Sequence, residues 1–197
     1  VWGSYYQSML LPAQQGPVDV RYGSQPVFLA NLLVRVSDAG INDAQTAEDV
    51  LLHIDQIVPF IELADLQVQK PSGLTAHHLT AINAAARLGV MGQPFAVEAD
   101  AKNRKRLLRE LEGMLVRVMD GKGRLLGRGK GSDVMGHPLR SVVWLAAALR
   151  KEGLSLQPGQ WISLGALSPM FRPRTGEKVT VAYAGLTGVR PVGVRFQ

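Results

Sequence analysis

The stretch from Gly129 to Pro169 constrains the fold most, because it contains a turn, a helix, a strand and a second turn in succession. Pro138 favours the first turn of a helix, and Gly153 lies where that helix is expected to stop. An apolar strand is predicted over 161–164. Glycines flank both elements: Gly129, Gly131, Gly136, Gly153 and Gly165. Two tight turns are therefore expected to face each other across one helix and to frame a pocket.

The first half of the chain combines apolar strands with short helices. The run from Pro26 to Val36 is aliphatic and β-branched, which predicts a buried strand. Thr46 to Asp49 has the pattern of a capping box, which predicts a helix that runs through Ile57 and ends at Pro59. A second apolar strand is predicted over Phe60 to Leu66.

The second half is dominated by hairpins. A loop is predicted over Lys70–Gly73, helices over Thr75–Leu88 and around 102–109, and hairpins over 114–127 and 178–196. Strands outnumber helices and do not alternate regularly with them. The chain is therefore predicted to have an α+β fold built on an antiparallel or mixed β-roll with peripheral helices. We expect one domain over 1–197, with an irregular lead-in over 1–25.

Composition limits the classes of function. The chain has 197 residues, of which 46% are hydrophobic and 19% charged, as is typical of a globular domain. Cysteine is absent, which excludes disulfides, thiolate metal sites and a cysteine nucleophile. No apolar run reaches the roughly 18 residues of a membrane span, so no membrane partner is expected. The chain starts at Val1 without a leader pattern, which we interpret as a processed or incomplete chain.

Much of the net charge of +6 comes from a basic segment that includes Lys102, Lys105 and Arg109. One interpretation is a patch that binds nucleic acid or another anionic surface. The other is the solvated face of a helix, partly balanced by Glu110 and Glu112. Aromatic residues are not interleaved here, as single-strand binders require. We therefore favour the solvated face and expect no nucleic-acid partner.

Isolated polar residues are candidates for chemistry. Glu62 is a carboxylate in an apolar strand, which suits a metal ligand or acid–base group, or else an edge residue that faces water. His137, in a Gly-His-Pro turn, could act as a base or contact a substrate, or could simply bond to backbone. The glycine-rich segment that ends in Ser132 matches neither a phosphate loop nor a dinucleotide fingerprint. The residues alone give a pocket without an assembled catalytic set.

Three segments carry a family resemblance: GKGSDVMGHPLRSVVWLAAALRKEG, LQPGQWISLGALSPM and RTGEKVTVAYAGLTGVRPVGVRF. In this order, over Gly127 to Phe196, they resemble the C-terminal half of the 2-keto-4-pentenoate hydratase group. That group includes related 2-oxo acid decarboxylases and belongs to the fumarylacetoacetate hydrolase superfamily. The segments WGSYYQSM, QPVFLANLLV and VPFIELADL are similar to earlier parts of the same fold. The family's usual N-terminal helical segment has no counterpart in this sequence.

The resemblance implies a mixed β-roll, a homo-oligomer, and a site for small 2-oxo or 2-hydroxydienoic acids that uses Mg²⁺ or Mn²⁺. In the family, two glutamates spaced i, i+2 on one strand and a third on a later strand hold the cation. These positions fall on Leu29, Asn31 and Glu62, so only the third keeps its carboxylate. One carboxylate and one amide are a poor set of ligands for Mg²⁺. The resemblance thus implies a degenerate metal site without a cofactor, or Mg²⁺ or Mn²⁺ if the family chemistry survives.

The family positions that shape the backbone around the pocket are mostly kept. The expected pocket residues are Gly131, Ser132, Gly136, His137, Leu164, Gly165 and Ala166. Ser132 and His137 are the catalytic candidates among them. Leu164 stands where the family commonly has a polar residue.

We therefore predict a hydratase-like protein that binds a small carboxylate and whose hydratase activity is lost or altered. The alternative is an active hydratase or decarboxylase with other ligands, such as Glu48, Asp49 or Asp65, or ligands from a partner chain. By family analogy we expect a cytoplasmic protein, or a periplasmic one if a leader was removed.

Overall fold

The computed structural model describes residues 1–68, 73–98 and 100–197. The strands in this part of the chain are β1 (Leu10–Pro12), β2 (Pro26–Val36), β3 (Ile54–Asp65), β4 (Ala86–Met91), β5 (Phe95–Ala96), β6 (Leu115–Asp120), β7 (Leu125–Lys130), β8 (Trp161–Ser163), β9 (Lys178–Ala184) and β10 (Val192–Arg195). The α-helices are α1 (Ala47–Leu52), α2 (Ala76–Ala81), α3 (Ala101–Gly113) and α4 (Arg140–Lys151). Strands predominate without regular alternation, which confirms the predicted α+β class.

The described strands form two sheets. In the first sheet the order is β1-β4-β3-β2-β8, and β5 pairs with the start of β3. β1 is parallel to β4 and the other pairings are antiparallel, so this sheet is mixed, as predicted. In the second sheet the order is β10-β9-β6-β7, and each pairing is antiparallel. The closure of these sheets into a roll stays a prediction.

β2 lies at the centre of the core and has the predicted bounds. It is buried on both faces, which explains its nearly continuous apolar sequence. One face contributes to the main core, and the other contributes to a smaller apolar cluster. The main-core residues of β2 are Phe28, Ala30, Leu32, Val34 and Val36, and the smaller cluster contains Leu33, Val58 and Phe60. Truncation of one such large side chain costs about 2–5 kcal/mol.

The helix predicted from Thr46 is shorter than expected. The capping box between Thr46 and Asp49 is present, but α1 ends at Leu52 and β3 begins at Ile54. The prediction of helix through Ile57 was therefore wrong. β-branched residues in this segment pair with β2 instead, and the buried pairing outweighs the local helical signal.

Pro59 does not end a helix but lies inside β3, opposite Leu32. Its carbonyl accepts a hydrogen bond from the N–H of Gly92 at 2.7 Å. The N and C=O of one strand residue point to the same side. The missing N–H of Pro59 therefore faces the gap between β4 and β5, where no β2 hydrogen bond is lost.

The helix predicted over Thr75–Leu88 is also too long. Thr75 and His78 form a capping box, but α2 ends at Ala81. Residues 83–85 then have positive φ values of 55°, 53° and 63°, and β4 follows directly. Pairing of β4 with β3 decides this segment, since the isolated sequence favours a helix. Of the loop predicted over Lys70–Gly73, residues 70–72 lie outside the described residues.

The remaining elements agree with the sequence pattern. α4 begins two residues after Pro138, and Gly153 follows its end with a φ of 71°. The hairpins β6–β7 and β9–β10 are confirmed. The lead-in over 1–25 is less irregular than expected, since it contains β1. No helix within the described residues is long and apolar enough to cross a membrane.

Candidate functional site

The three positions that correspond to the family's metal ligands lie side by side on one face of the first sheet. Leu29 on β2 is directly opposite Glu62 on β3, and Asn31 is directly opposite Phe60. Directly opposite residues of an antiparallel pair point to the same side, and so do residues i and i+2. Ser163 on β8 is opposite Leu33 and shares this face. The tertiary structure therefore brings Asn31, Glu62 and Ser163 together.

Asn31 is fully buried, and its side-chain amide is completely hydrogen-bonded. Its Oδ1 accepts a hydrogen bond from the backbone N–H of Leu32 at 2.8 Å. Its Nδ2 donates to Glu62 Oε2 at 2.8 Å and to Ser163 Oγ at 2.7 Å. A backbone N–H can only donate, so the Leu32 contact fixes the orientation of the amide. The nitrogen, rather than the oxygen, therefore faces the Glu62 carboxyl group.

The environment of Glu62 disfavours its charged form. Burial raises the pKa of the Glu62 carboxyl, and the hydrogen bond from Asn31 partly offsets this increase. Tyr5 is the other polar neighbour, and its ring packs edge-on against Phe60 with centroids 5.9 Å apart. The buried Tyr5 hydroxyl has no hydrogen-bond partner of good geometry among the described residues. Burial, and to a lesser extent Glu62, raise the pKa of that hydroxyl.

Tyr5 is held in place through its neighbour Ser4. The side chain of Asn83 accepts from the Ser4 N–H at 2.7 Å and donates to the Ser4 carbonyl at 2.8 Å. Gly3 lies so close to Asn83 that an added Cβ would be 2.2 Å from the Asn83 carbonyl oxygen. Asn83 also has a left-handed φ of 55°, which asparagine tolerates better than most residues. A strained turn therefore fixes the segment that carries Tyr5.

Residues Asn31, Glu62, Ser163 and Tyr5 are called the Asn31 site below. Sequence reasoning selected Asn31 and Glu62 but missed Ser163, which is a single serine in a short strand. Its relation to Asn31 depends on pairing across 132 residues of chain. Tyr183 of β9 was also missed: its buried hydroxyl donates to the Asn31 carbonyl at 2.5 Å. The signal available for Tyr183 was its position in an alternating strand.

The three positions that the resemblance assigns to metal ligands offer few oxygen atoms to a divalent cation. Leu29 has no ligand atom and is 4% exposed. The Asn31 oxygen is bonded to backbone, and the amide nitrogen has no lone pair to offer a metal. Glu62 is thus the single oxygen donor of the three positions, whereas Mg²⁺ requires an oxygen-rich shell. Within residues 1–68, 73–98 and 100–197, no group of three His, Cys, Asp or Glu side chains is placed to hold a metal ion.

Two of the three carboxylates considered as substitute ligands have other roles. Asp65 accepts hydrogen bonds from the backbone N–H groups of Ser24 and Gln25. Burial tends to raise the pKa of Asp65, but these hydrogen bonds hold it below its ordinary value. Asp49 caps α1, where it accepts from the N–H groups of Gln45 and Thr46.

The two glycine turns predicted to frame a pocket do approach each other. Gly165 has a φ of 100°, and a Cβ at this position would lie 3.5 Å from a methyl group of Val134. Gly131 packs tightly, since an added Cβ would lie 1.7 Å from the Leu111 carbonyl oxygen. Ser132 is partly exposed in the same turn.

The strand end that precedes Gly165 runs beside β2. Leu164 is fully buried and its N–H donates to the Leu32 carbonyl at 3.0 Å. Ala166 is exposed. This segment therefore places Leu164 and Ala166, two of the expected pocket residues, next to β2, the strand that carries Asn31.

His137 lies apart from the Asn31 site. Its Nδ1 accepts from the Leu139 N–H at 3.2 Å, so Nε2 carries the proton and donates to the Leu108 carbonyl at 3.1 Å. Burial lowers the pKa of His137, although the Leu108 hydrogen bond opposes this shift. The neutral ring therefore has both nitrogens bonded to backbone, as a structural histidine does. Whether it also acts on a substrate stays a prediction.

His137 and Gly136 line an open cleft of about 950 Å³ between α1, α3 and α4. Its other walls carry cationic, acidic and apolar side chains: Lys105, Arg109, Arg140, Glu48, Glu112, Leu108, Met135, Val143 and Trp144. Neither Asn31 nor Glu62 lines it. The expected pocket residues are thus divided between this cleft and the neighbourhood of β2.

Comparison with known proteins identifies the class. No protein-family model matches the chain. Its structure is similar to 4-oxalocrotonate decarboxylase from Pseudomonas putida G7 complexed with magnesium and adipate, with a TM-score of 0.81, 24% identity, and coverage of 99% of this chain and 69% of that one. A yeast protein of the fumarylacetoacetate hydrolase family has a TM-score of 0.66 at 15% identity and covers 96% of this chain and 82% of its own. The fold is that of fumarylacetoacetate hydrolase family proteins.

Sequence relatives narrow the class further. The TodF product hydratase of Pseudomonas putida F1 is 30% identical over 147 residues, or 75% of this chain and 51% of the relative. A 4-oxalocrotonate decarboxylase of Pseudomonas putida is 28% identical over 141 residues, or 72% and 50%. 2-Keto-4-pentenoate hydratase 2 of Dechloromonas aromatica is 26% identical over 165 residues, or 84% and 59%. The chain is homologous to these hydratases and decarboxylases, and it spans about half the length of the curated relatives it matches.

Proposed function

We propose that this chain is a 2-keto-4-pentenoate hydratase-like protein that works without the divalent cation and has lost or altered the hydratase reaction. Its ligand is a small carboxylic acid of the 2-oxo or 2-hydroxydienoic type. The homology and the fold support the lineage. The orientation of the Asn31 amide supports the loss of the cation, since it presents a nitrogen where a ligand oxygen would be required.

The amide of Asn31 offsets the cost of burying the Glu62 carboxyl group, as a bound cation would otherwise do. A buried carboxyl group is costly unless a donor is directed at it. Nδ2 supplies this donor and also bonds Ser163, which joins β2, β3 and β8 through side chains. A cation at the same place would meet two N–H hydrogens, and it would have to displace the amide.

The Asn31 site can recognise a carboxylate through hydroxyl donors. The Tyr5 hydroxyl lies beside the Glu62 carboxyl without a hydrogen bond of good geometry, and the Ser163 oxygen accepts from Asn31 while its own hydrogen can donate. Hydroxyl donors of this kind can bind and orient an acid. They cannot supply the charge stabilisation, worth several kcal/mol, that a metal gives to a developing enolate. Binding with little or no hydratase turnover follows.

A gain-of-function experiment tests this proposal. Calorimetric titration of the wild-type chain with Mg²⁺ and Mn²⁺ is expected to give no binding heat. The Leu29→Glu/Asn31→Glu variant restores the two i, i+2 carboxylates and is expected to bind Mn²⁺. The matched Leu29→Gln/Asn31→Gln variant has similar side-chain sizes without the charges and is expected not to bind.

Two results would overturn the proposal. One is tight binding of Mg²⁺ or Mn²⁺ by the wild-type chain that Glu62→Ala abolishes. The other is metal-dependent loss of the ultraviolet absorption of a 2-hydroxydienoate on addition of the wild-type chain. The second result would establish the alternative function, an active hydratase with non-standard ligands.

A further inference from the structure

The outer face of the second sheet carries a concentration of positive charge that no part of the proposed function uses. Side chains alternate between the two faces of a strand, and the outward positions of all four strands can be read from the pairing register. We call this surface the cationic face. It consists of Leu115, Arg117, Met119, Leu125, Arg128, Lys130, Lys178, Thr180, Ala182, Ala184, Gly193 and Arg195. It contains five cationic residues and no acidic residue.

Four of the five cations of this face form two directly opposed pairs. Arg117 on β6 is directly opposite Arg128 on β7, and Lys178 on β9 is directly opposite Arg195 on β10. Like charges directly opposite each other destabilise a sheet. None of the five forms a salt bridge within the described residues, although other arginines do, such as Arg106 with Glu110. The sheet therefore carries an uncompensated repulsion in the free chain.

The middle of the cationic face is partly apolar. Thr180 and Gly193 are small outward residues of β9 and β10. Met119 and Leu125 continue the same row on β6 and β7, between the two cation pairs, and Leu125 is 55% exposed. Leu115, which is 47% exposed, lies on the far side of the Arg117–Arg128 pair. A surface of this type buries apolar area at its centre and pairs charges around it when a complementary surface covers it.

We propose that the cationic face is a docking surface for a different protein that presents carboxylates around an aliphatic centre. Such a partner relieves the repulsion within both cation pairs and covers the exposed leucines in one step. The proposal is independent of the metal content of the Asn31 site, because no residue of that site lies on this face.

The chemistry of the face disfavours other occupants. Single-stranded nucleic acid requires aromatic stacking partners, and none is present on these strands' outward positions. A surface that binds lipid presents a broad apolar face rich in Trp, Phe and Leu, whereas the outward positions of this sheet carry two leucines, one methionine and no aromatic residue. A second copy docked through the same face would bring ten positive charges together, since a two-fold interface uses one patch twice.

Synthetic peptides of repeating Glu-Ser-Leu-Ser and Glu-Ser-Ala-Ser patterns test the proposal by fluorescence anisotropy. In an extended strand both place glutamates on one face, but only the first adds leucines there. The Glu/Leu peptide is expected to bind about ten-fold more tightly than the Glu/Ala peptide, and salt is expected to weaken both. Arg117→Glu/Arg128→Glu is expected to abolish binding. Lys102→Glu/Lys105→Glu makes the same charge change on α3 and is expected to leave it within about two-fold.

A stability measurement separates docking from a structural role of the arginines. The single variant Arg117→Glu is expected to lose peptide binding while its melting temperature rises by about 1–3 °C, because a repulsive pair becomes an attractive one. The proposal is overturned if the Glu/Ala peptide binds equally well, or if the α3 variant loses as much affinity as the sheet variant. It is also overturned if a DNA duplex or phosphatidylserine vesicles bind more tightly than the Glu/Leu peptide, or if Arg117→Glu dissociates a dimer of the chain.

Discussion

The amide nitrogen of Asn31 donates to the carboxyl group of Glu62 across the β2–β3 pair at 2.8 Å. In the family, the resemblance implies, glutamates at both positions are oxygen ligands of a shared cation, whereas here the amide of Asn31 donates to the carboxyl group. Because Oδ1 is held by the Leu32 N–H, the amide cannot turn round without losing a buried backbone hydrogen bond. The following predictions test this contact and three others.

Removal of the Asn31 amide is expected to destabilise the protein strongly. In Asn31→Leu, the partly buried Glu62 carboxyl loses a hydrogen-bond donor and the Leu32 N–H loses its acceptor, at a cost of about 2–3 kcal/mol. Ser163→Ala removes one acceptor but leaves the Glu62 bond, and is expected to cost about 1 kcal/mol. Urea denaturation measures both. Equal stability of Asn31→Leu and the wild type would contradict this account of the contact.

Loss of the Asn83 side chain is expected to release the segment that carries Tyr5. Asn83→Gly keeps the left-handed turn but removes both hydrogen bonds to Ser4. Faster hydrogen exchange is expected in residues 2–6, and unchanged exchange in β2. Asn83→Asp retains the acceptor for the Ser4 N–H and is expected to give an intermediate exchange rate. Unaltered exchange in Asn83→Gly would show that Tyr5 is held by other contacts.

Acid is expected to destabilise the fold in part through His137. Burial lowers the pKa of His137 in the folded state, so the unfolded chain takes up a proton first as pH falls. The contribution of His137 to the free energy of unfolding is therefore complete above its unfolded-state pKa of about 6.5. It is lost as the pH falls through the lower folded-state pKa. His137→Asn, whose oxygen can still accept from Leu139, is expected to show a smaller loss of melting temperature between neutral and mildly acidic pH. His77→Asn makes the same replacement at an exposed position and is the matched control variant.

Gly131 is expected to tolerate no side chain, in contrast to Gly153. An added Cβ at Gly131 would lie 1.7 Å from the Leu111 carbonyl oxygen, so Gly131→Ala is expected to cost about 3 kcal/mol through a forced backbone shift. Gly153 has no atom within 4 Å of an added Cβ, and its φ of 71° is the sole obstacle. Gly153→Ala is therefore expected to cost about 1 kcal/mol. Similar melting temperatures for both variants would contradict the close approach of Gly131 to α3.

The sequence predicted elements well where a strong local signal was consistent with the tertiary contacts. Examples are β2, which its continuous apolar sequence predicts, and α4, which the Pro and Gly at its ends predict. The hairpins β6–β7 and β9–β10 are further examples, and the first of them has an Asp-Gly turn. The prediction from sequence failed where a local helix-capping signal competed with strand pairing to a distant part of the chain. The capping box at Thr46 predicts a helix through Ile57. The helix ends at Leu52 instead, because the residues that follow pair with β2. The same competition shortened the helix that follows Thr75.

The candidate site shows the same division. At positions 29 and 31, which the resemblance assigns to metal ligands, the sequence has leucine and asparagine, and residue type alone determines which atoms can bind a cation. What occupies that space depends on orientation. The direction of the Asn31 amide is set by the Leu32 N–H, its second acceptor comes from β8, and Tyr5 arrives from the lead-in held by Asn83.

The sequence by itself determined the strand-rich class of this protein, its family resemblance and the residue types at positions 29, 31 and 62, since these follow from residue types and their local order. Only the tertiary structure decided that the Asn31 amide donates to Glu62 and Ser163, and that both ring nitrogens of His137 are hydrogen-bonded to backbone. It also decided that cations lie directly opposite each other on the outer face of the second sheet. Each of these depends on register between strands or contacts distant in the chain. Hydrogen bonds and charge repulsion depend on distances of a few ångströms, which local sequence does not specify.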